Sequence, residues 1–208
     1  KLFTNHIPSN GEYVYFGLQV EPEASTSIFS PFHTDQLSII EALAKSVPSD
    51  MLILVKENIY MLGRRPSNYY SIIKNMPRVI LLAPEIEGIE VVKKSSIIAT
   101  ISGTSAWEAL LLKKKVLILG DSPYLCFKTS IIKEDTFSKY SESINKLIEM
   151  KILPESEIIK FIDFIFKKSF KMDSGLIWRG DYNSFSKHQK KDAVKNILRG
   201  ILDIVNIK

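Results

Sequence analysis

Short apolar runs alternate with helical patterns along the chain as far as Gly120. Five apolar runs predict strands, at residues 13–16, 51–55, 78–82, 96–101 and 116–119. Between them, apolar residues recur at the spacing of a helix face, over about 35–45, 67–74, 87–94 and 107–113. Runs as apolar as 51–55 are typical of strands buried on both faces of a parallel sheet. The alternation therefore predicts an α/β fold, a Rossmann-like parallel sheet with helices on both faces.

The pattern changes after Gly120, where we predict no further strand. Helical spacing continues over 137–148, 158–166 and 194–205, whereas residues 171–186 have no period and predict a long loop. We therefore predict two regions. Residues 1–135 would form the Rossmann-like domain, and residues 136–208 would form a helical C-terminal extension that packs on it.

Composition excludes several classes of protein. The 208 residues are 45% hydrophobic and 25% charged, as in an ordinary globular domain and unlike a collagen, a coiled coil or a disordered chain. The single Cys126 cannot pair within the chain, which excludes a disulfide scaffold and fits a reducing compartment. No apolar run reaches the roughly 18–20 residues that a membrane span requires.

The charge balance favours anionic partners. The chain carries 28 Lys and Arg against 23 Asp and Glu, a net charge of +5, which favours nucleotides, phosphosugars or an acidic lipid surface. Its basic clusters lie at the ends of predicted helices, where they complement the helix dipole or are solvated. The excess is too diffuse for duplex nucleic acid, so we expect no nucleic-acid partner.

The loops that follow the strands hold the candidate chemistry, because open parallel sheets bind ligands at the carboxyl ends of their strands. Ser102, Gly103, Thr104 and Ser105 follow the fourth strand and lead directly into a helix. Their hydroxyls and backbone N–H groups suit a phosphate at a helix N-terminus. Glu108, about one turn into the helix, suits ribose hydroxyls. Ser105 and Glu108 also have the spacing of a capping box, which needs no ligand, and both interpretations stay open.

The loop after the first strand offers an amide and two carboxylates, those of Gln19, Glu21 and Glu23. Such side chains at the carboxyl end of a strand suit sugar hydroxyls or a general base. A solvated acidic loop has the same composition, so the spacing alone leaves that alternative open.

The loop after the second strand contains Lys56, and Arg64 and Arg65 follow it. These cations could neutralise a diphosphate, or could pair locally on the surface with little effect on stability. Tyr124 could stack on a base or sugar, but we interpret its segment as an ordinary turn. Three histidines and one cysteine predict no metal centre, and the sequence contains no zinc-protease or hydrolase-triad motif.

Three of these segments together resemble one family. They are Tyr-Val-Tyr-Phe-x-Leu-Gln-Val-Glu-Pro-Glu at 13–23, Val-Lys-Glu followed by Gly-x-Arg at 55–65, and Thr-Ile-Ser-Gly-Thr-x-x-Trp-Glu-Ala at 100–109. The segments are similar to those of the bacterial capsule polysaccharide biosynthesis proteins, which include Kdo transferases of capsule and lipopolysaccharide assembly. The similarity covers roughly residues 13–125, with the segments in the same order.

The resemblance implies a glycosyltransferase of the GT-B class, in which two Rossmann-like domains face a cleft. This chain would be the C-terminal half, which binds the nucleotide of the sugar donor. Because the sequence begins at Lys1 without a methionine, we expect an acceptor-binding domain to precede it in a longer protein. Half of the active site would lie on that domain, so we expect the isolated chain to be inactive.

The resemblance also implies roles for the candidate residues. Residues 102–105 would bind the phosphate of the donor, and Glu108 would hold its ribose. The other residues carried over are Lys56 and Arg64 for donor binding, and Gln19 and Glu21 for catalysis on the sugar side of the cleft.

The implied partners follow from the same resemblance. The donor would be a nucleotide sugar, CMP- or UDP-linked, bound as substrate and not as cofactor, and no metal would be required. The acceptor would be a saccharide or a lipid-linked sugar. We expect the protein in the bacterial cytoplasm, in peripheral association with the inner face of the membrane.

The chain departs from the family pattern at several positions. Asn58 stands where members usually have a histidine, and Gly17 stands where they have a proline. Two alternatives to a glycosyltransferase therefore stay open. One is a sugar-nucleotide 2-epimerase, which has the same double-Rossmann architecture, and the other is a non-catalytic module that binds carbohydrate or protein.

Overall fold

The computed structural model of the chain describes residues 2–28, 30–31, 33–169 and 186–205. The chain divides into two compact units, Lys1–Pro154 and Glu155–Lys208. The loop predicted at 171–186 lies outside the described residues except at its last position.

A parallel sheet of six strands forms the centre of the first unit. The strands are β1 Glu12–Gly17, β2 Met51–Lys56, β3 Val79–Leu82, β4 Ile97–Thr100, β5 Lys115–Ile118 and β6 Ile131–Lys133. Their order across the sheet is β3-β2-β1-β4-β5-β6. In the central register, Val14 of β1 lies between Ile53 of β2 and Ile97 of β4. The five predicted strands are all present, so the predicted Rossmann-like parallel sheet is confirmed.

The sixth strand shows that the prediction of no strand after Gly120 was wrong. β6 has three residues and lies at the edge of the sheet, beside β5. Ile131 and Ile132 are too few to produce a recognisable strand pattern, because periodicity is judged over longer runs. Pairing with β5, through partners such as Val116 and Ile131, organises the segment as a strand.

Helices connect the strands and follow the sheet. They are α1 Ala24–Ser27, α2 Gln36–Ser46, α3 Tyr69–Asn75, α4 Gly88–Lys94, α5 Ser105–Leu111, α6 Tyr140–Glu149, α7 Glu155–Lys168 and α8 Lys187–Val205. The side chain of Asp35 caps α2 by accepting a hydrogen bond of 3.0 Å from the backbone N–H of Leu37. Such a cap stabilises a helix by about 1 kcal/mol. No helix among the described residues is long and apolar enough to cross a membrane.

The helices cover both faces of the sheet. Side chains of α2, α3 and α6 form one apolar cluster with Val14, Phe16 and Ile53. The other face is covered by α4 and α5, which contact each other as well as strands β1, β4 and β5. Tyr15 points to this second face because side chains alternate along a strand. Burial of both faces explains why the strand segments are almost uninterrupted apolar runs.

The first unit extends past the predicted domain boundary. We predicted the Rossmann-like domain to end at residue 135, whereas the compact unit ends at Pro154. The difference is α6, which contacts α2 and β5. Tyr140, Ile144 and Leu147 of α6 are fully buried in the core cluster, so this helix is part of the sheet domain.

Candidate functional site

A cleft of about 730 Å³ opens at the carboxyl ends of β1, β2, β3 and β4. The chain goes from β1 outward to β2 and β3, and then returns past β1 to β4. Strand order therefore reverses between β1 and β4, and open α/β sheets bind ligands at such a point. The lining residues are 15, 17–20, 23, 56–59, 84–88 and 102–105.

The loop between β4 and α5 lines one wall of the cleft with Ser102, Gly103, Thr104 and Ser105. The backbone N–H of Gly103 donates a hydrogen bond of 3.2 Å to Oγ1 of Thr100. α5 begins at Ser105, and Thr104, which precedes it, forms no side-chain cap. The capping box that Ser105 and Glu108 could have formed is therefore absent from the described loop.

Gly103 lies close to the side chains of Thr100 and Gln19, which leave little space for a larger residue. A Cβ atom at this position would lie 3.0 Å from Oγ1 of Thr100 and 3.2 Å from Oε1 of Gln19. Both distances are shorter than normal van der Waals contact, so a larger residue would displace one neighbour. The glycine thus allows the loops after β1 and β4 to meet at the floor of the cleft.

Gln19 is fixed in the cleft by its backbone and its side chain. Its backbone N–H donates to Oε1 of Gln36 at 2.7 Å, and Nε2 of Gln36 donates to the Gln19 carbonyl oxygen at 3.2 Å. The Gln19 side chain donates from Nε2 to the carbonyl oxygen of Gly17 at 2.9 Å. Gln36 is buried at the start of α2, so the first helix of the core positions this cleft residue.

Glu57 is one of the lining residues, and its side chain belongs to a buried hydrogen-bond network. Its side chain is fully buried, and its carboxylate accepts from Nε of Arg65 at 2.9 Å and Nη2 of Arg65 at 3.2 Å. The backbone N–H of Asn58 donates to Oε1 at 2.6 Å, and the hydroxyl of Tyr70 donates to Oε2 at 3.1 Å. Burial and the Glu57 charge raise the pKa of Tyr70 to about 12, so its hydroxyl keeps the proton that it donates.

Arg65 connects this network to the loop after β1. Its Nη1 donates to Oε2 of Glu21 at 2.5 Å, and its Nη2 donates to the carbonyl oxygen of Gln19 at 2.6 Å. The guanidinium also lies over the ring of Tyr69, 5.1 Å from the centroid. With only 2% of its side chain exposed, Arg65 joins the loops after β1 and β2 through charge-assisted hydrogen bonds, which are stronger than neutral ones.

The predicted cation Lys56 lines the cleft. Among the described lining residues it is the one cation, and its Nζ donates to the carbonyl oxygen of Glu57 at 3.3 Å. Burial lowers the pKa of the Lys56 ammonium, while the charges of Glu57 and Glu85 raise it in part. Lys56 lies at the end of β2 and lines the same cleft as the hydroxyl-rich loop of residues 102–105, which follows β4.

Three predicted residues lie outside the cleft lining. The carboxylate of Glu21 pairs with Arg65, so its predicted catalytic role stays a prediction. Arg64 is exposed, and the neighbouring Arg65 is the arginine that turns inward. Glu108 lies on α5 near Tyr15: burial raises the pKa of Tyr15, and the Glu108 charge raises it further.

The cleft also contains carboxylates that sequence reasoning did not single out. These are Glu85 and Glu87, in the loop between β3 and α4. Glu23, one of the two carboxylates that the sequence indicated, also lines the cleft, from the loop after β1. Ligands bind at the carboxyl ends of parallel strands, and Glu85 and Glu87 follow the carboxyl end of β3. The same principle would therefore have identified these two residues from the sequence.

Tyr124 stacks on Trp107, with ring centroids 5.8 Å apart and planes at 11°. In the described residues, no three His, Cys, Asp or Glu side chains form a group that could hold a metal ion.

Comparison with known families identifies the chain. The sequence profile described as capsule polysaccharide biosynthesis protein matches residues 1–127, more than half of the sequence. The chain belongs to this family. The match includes the three segments at 13–23, 55–65 and 100–109, and it confirms the resemblance seen in the sequence. No curated protein matches the sequence.

Several solved structures of other proteins are similar to this member of the capsule biosynthesis family. A beta Kdo 2,7 transferase, KpsC of Thermosulfurimonas dismutans, is 15% identical over 62% of this chain and 40% of its own, with a TM-score of 0.49. UDP-GlcNAc 2-epimerase from Neisseria meningitidis, bound to UDP-GlcNAc, is 23% identical over 69% and 37%, with a TM-score of 0.46. ADP-heptose lipopolysaccharide heptosyltransferase II of E. coli is 11% identical over 68% and 47%, with a TM-score of 0.47. The chain thus spans less than half the length of each of these proteins.

Proposed function

We propose that this chain is the donor-binding domain of a glycosyltransferase in capsule or surface polysaccharide synthesis. The observation that carries the proposal is the convergence of three loops on one cleft. Gln19, Lys56 and residues 102–105 come from segments far apart in the sequence, and all of them line it. Membership of the capsule biosynthesis family supports a sugar nucleotide as the ligand.

The proposed binding mode assigns the phosphate to residues 102–105 and Lys56. The hydroxyls of Ser102, Thr104 and Ser105 and the backbone around Gly103 can donate to phosphate oxygens, and the Lys56 ammonium supplies the opposite charge. A phosphate bound here would be a leaving group whose developing charge is stabilised by donors already in place.

The hydroxyls of the nucleotide and the sugar need acceptors, and the cleft provides carboxylates. Glu23, Glu85 and Glu87 line it, whereas Glu108, the predicted ribose ligand, does not. We therefore propose that ribose and sugar hydroxyls donate to one or more of these three carboxylates. A catalytic role for Glu21 would require its carboxylate to exchange Arg65 for a substrate group.

The acceptor side of the reaction requires more than this cleft. We propose that a saccharide or lipid-linked acceptor is presented by a further domain of a longer protein, at the cytoplasmic face of the membrane. The 208-residue chain should then bind a nucleotide and transfer no sugar by itself. Sugar transfer by the isolated chain would contradict this division of the active site.

Calorimetric titration with CMP, UDP, GDP and ADP in turn tests the proposal and names the donor class. One nucleotide should bind, and Lys56→Met should weaken it by about tenfold, the effect of losing one charged hydrogen bond. Lys115→Met removes the same charge from a lysine outside the cleft lining and should leave binding unchanged. Binding that is equal in both variants, or absent for all four nucleotides, would contradict a donor site formed by this chain.

A sugar-nucleotide 2-epimerase is the second candidate, and the carboxylates Glu23, Glu85 and Glu87 favour it. Proton transfer at a sugar carbon needs such groups. No histidine is among the described residues that line the cleft, since His33 is buried elsewhere and Asn58 occupies the family's usual histidine position. Proton NMR of a UDP-sugar incubated with the chain would show epimer formation if this alternative is correct.

A further inference from the structure

Helix α8 carries basic and apolar side chains on one exposed side. We define the α8 face as Lys187, Lys191, Val194, Lys195, Leu198 and Arg199. At 100° per residue, these six side chains fall within an arc of about 140° around the helix axis. All six are exposed, Val194 to 55% and Leu198 to 56%. Ala193 and Gly200, on the opposite side of the helix, are buried.

The positive charges of the α8 face have no acidic partner among the side chains that the structure describes. The described salt bridge of this helix joins His188 and Asp192, at 3.2 Å. By contrast, several exposed lysines of other helices pair locally, as Lys45 does with Glu41 and Lys160 does with Glu157. The α8 face therefore presents a concentrated positive charge next to exposed apolar groups.

We propose that the α8 face binds the surface of a bilayer that contains anionic lipids, with the helix lying in the plane of the interface. Lysine and arginine attract anionic headgroups, and exposed apolar side chains enter the boundary between headgroups and acyl chains. A nucleic acid would be held by the same charges but would leave Val194 and Leu198 in water. The combination of charge and apolar surface on one arc favours the lipid surface.

Co-sedimentation of the 208-residue chain with vesicles tests this proposal. Vesicles of phosphatidylcholine with phosphatidylglycerol should bind the chain, and vesicles of phosphatidylcholine alone should not. Lys191→Gln with Lys195→Gln should reduce partitioning by about thirtyfold, about fivefold for each charge. Leu198→Ser should reduce it by about fivefold or more, because an apolar side chain no longer enters the interface. The matched control, Lys45→Gln with Lys93→Gln, removes the same charge from other helices.

The outcomes separate the lipid surface from its competitors. Loss of binding in the lysine pair and in Leu198→Ser, with the control unchanged, supports the proposal. If the control pair loses as much vesicle binding as the α8 lysine pair, the chain adsorbs by its net charge alone. If Leu198→Ser does not change vesicle binding, the α8 face is a site for polyanions. Either result overturns the proposal. Absence of binding to the anionic vesicles also overturns it. Circular dichroism of each variant confirms that the helices remain folded.

Discussion

Replacement of Arg65 should destabilise this protein far more than replacement of the adjacent Arg64. Arg65→Met keeps the apolar length of the side chain and removes the guanidinium. The carboxylate of Glu57 then remains fully buried without its cation, and the carbonyl oxygen of Gln19 loses its 2.6 Å contact. The loops after β1 and β2 would lose the group that joins them.

The expected magnitude follows from burial of the Glu57–Arg65 pair. Breaking a buried ion pair by removing one partner costs about 3–5 kcal/mol, because an uncompensated charge stays in the interior. The contact to Glu21 adds less, since 31% of that side chain is exposed and solvent screens it. Arg64→Met is the matched control: Arg64 is exposed, and such substitutions change stability by less than about 0.5 kcal/mol.

Urea unfolding followed by circular dichroism measures these changes. Arg65→Met should lower the free energy of unfolding by about 3–5 kcal/mol, and Arg64→Met should not change it. Adding Glu57→Gln to Arg65→Met removes the second charge and should restore most of the loss. If Arg65→Met is no more destabilising than Arg64→Met, or if the double variant is no better than the single one, the buried network does not have the role assigned to it.

Three further predictions concern single positions. Gly103→Ala should weaken nucleotide binding by about tenfold, because its Cβ would press on the side chains of Thr100 and of the cleft residue Gln19; unchanged affinity in calorimetry would contradict this. Burial lowers the pKa of His33, so stability should be complete above its unfolded pKa of about 6.5 and fall as pH is lowered from that value to the lower pKa of the folded state; His33→Asn should show a smaller fall in urea titrations at several pH values. Tyr70→Phe should cost about 1 to 3 kcal/mol, because Glu57 loses a donor, and a melting curve identical to that of the native chain would refute it.

The sheet could be predicted because its strands are buried on both faces. A run such as 51–55 contains no polar residue, which is typical of a strand buried on both faces. Once the strands are located, the loop that follows each of them must lie at the carboxyl edge of the parallel sheet. β6 could not be predicted in this way, since three residues give no period. A helix packed on the sheet domain was predicted for the region of α6, but its helical pattern does not show that it packs against α2 and β5.

The site was predictable in its location and less so in its individual residues. Gln19, Lys56 and residues 102–105 line the cleft because each directly follows a strand. Arg64 and Arg65 are adjacent and chemically identical, so only the fold decides that Arg65 turns inward to Glu57. The inward orientation of Arg65 depends on contacts with residues distant in the sequence, so no local sequence pattern predicts it.

Backbone amide chemical-shift mapping of the chain, during titration with the nucleotide that binds, tests whether the cleft is the donor site. We expect the largest changes in the four loops of the cleft, at residues 17–19, 56–58, 85–88 and 102–105. Amides of Arg64 and of the α8 residues Lys191 and Lys195 should change little. Changes concentrated outside these loops, or a saturating nucleotide that leaves 102–105 unperturbed, would contradict the assignment of this cleft as the donor site.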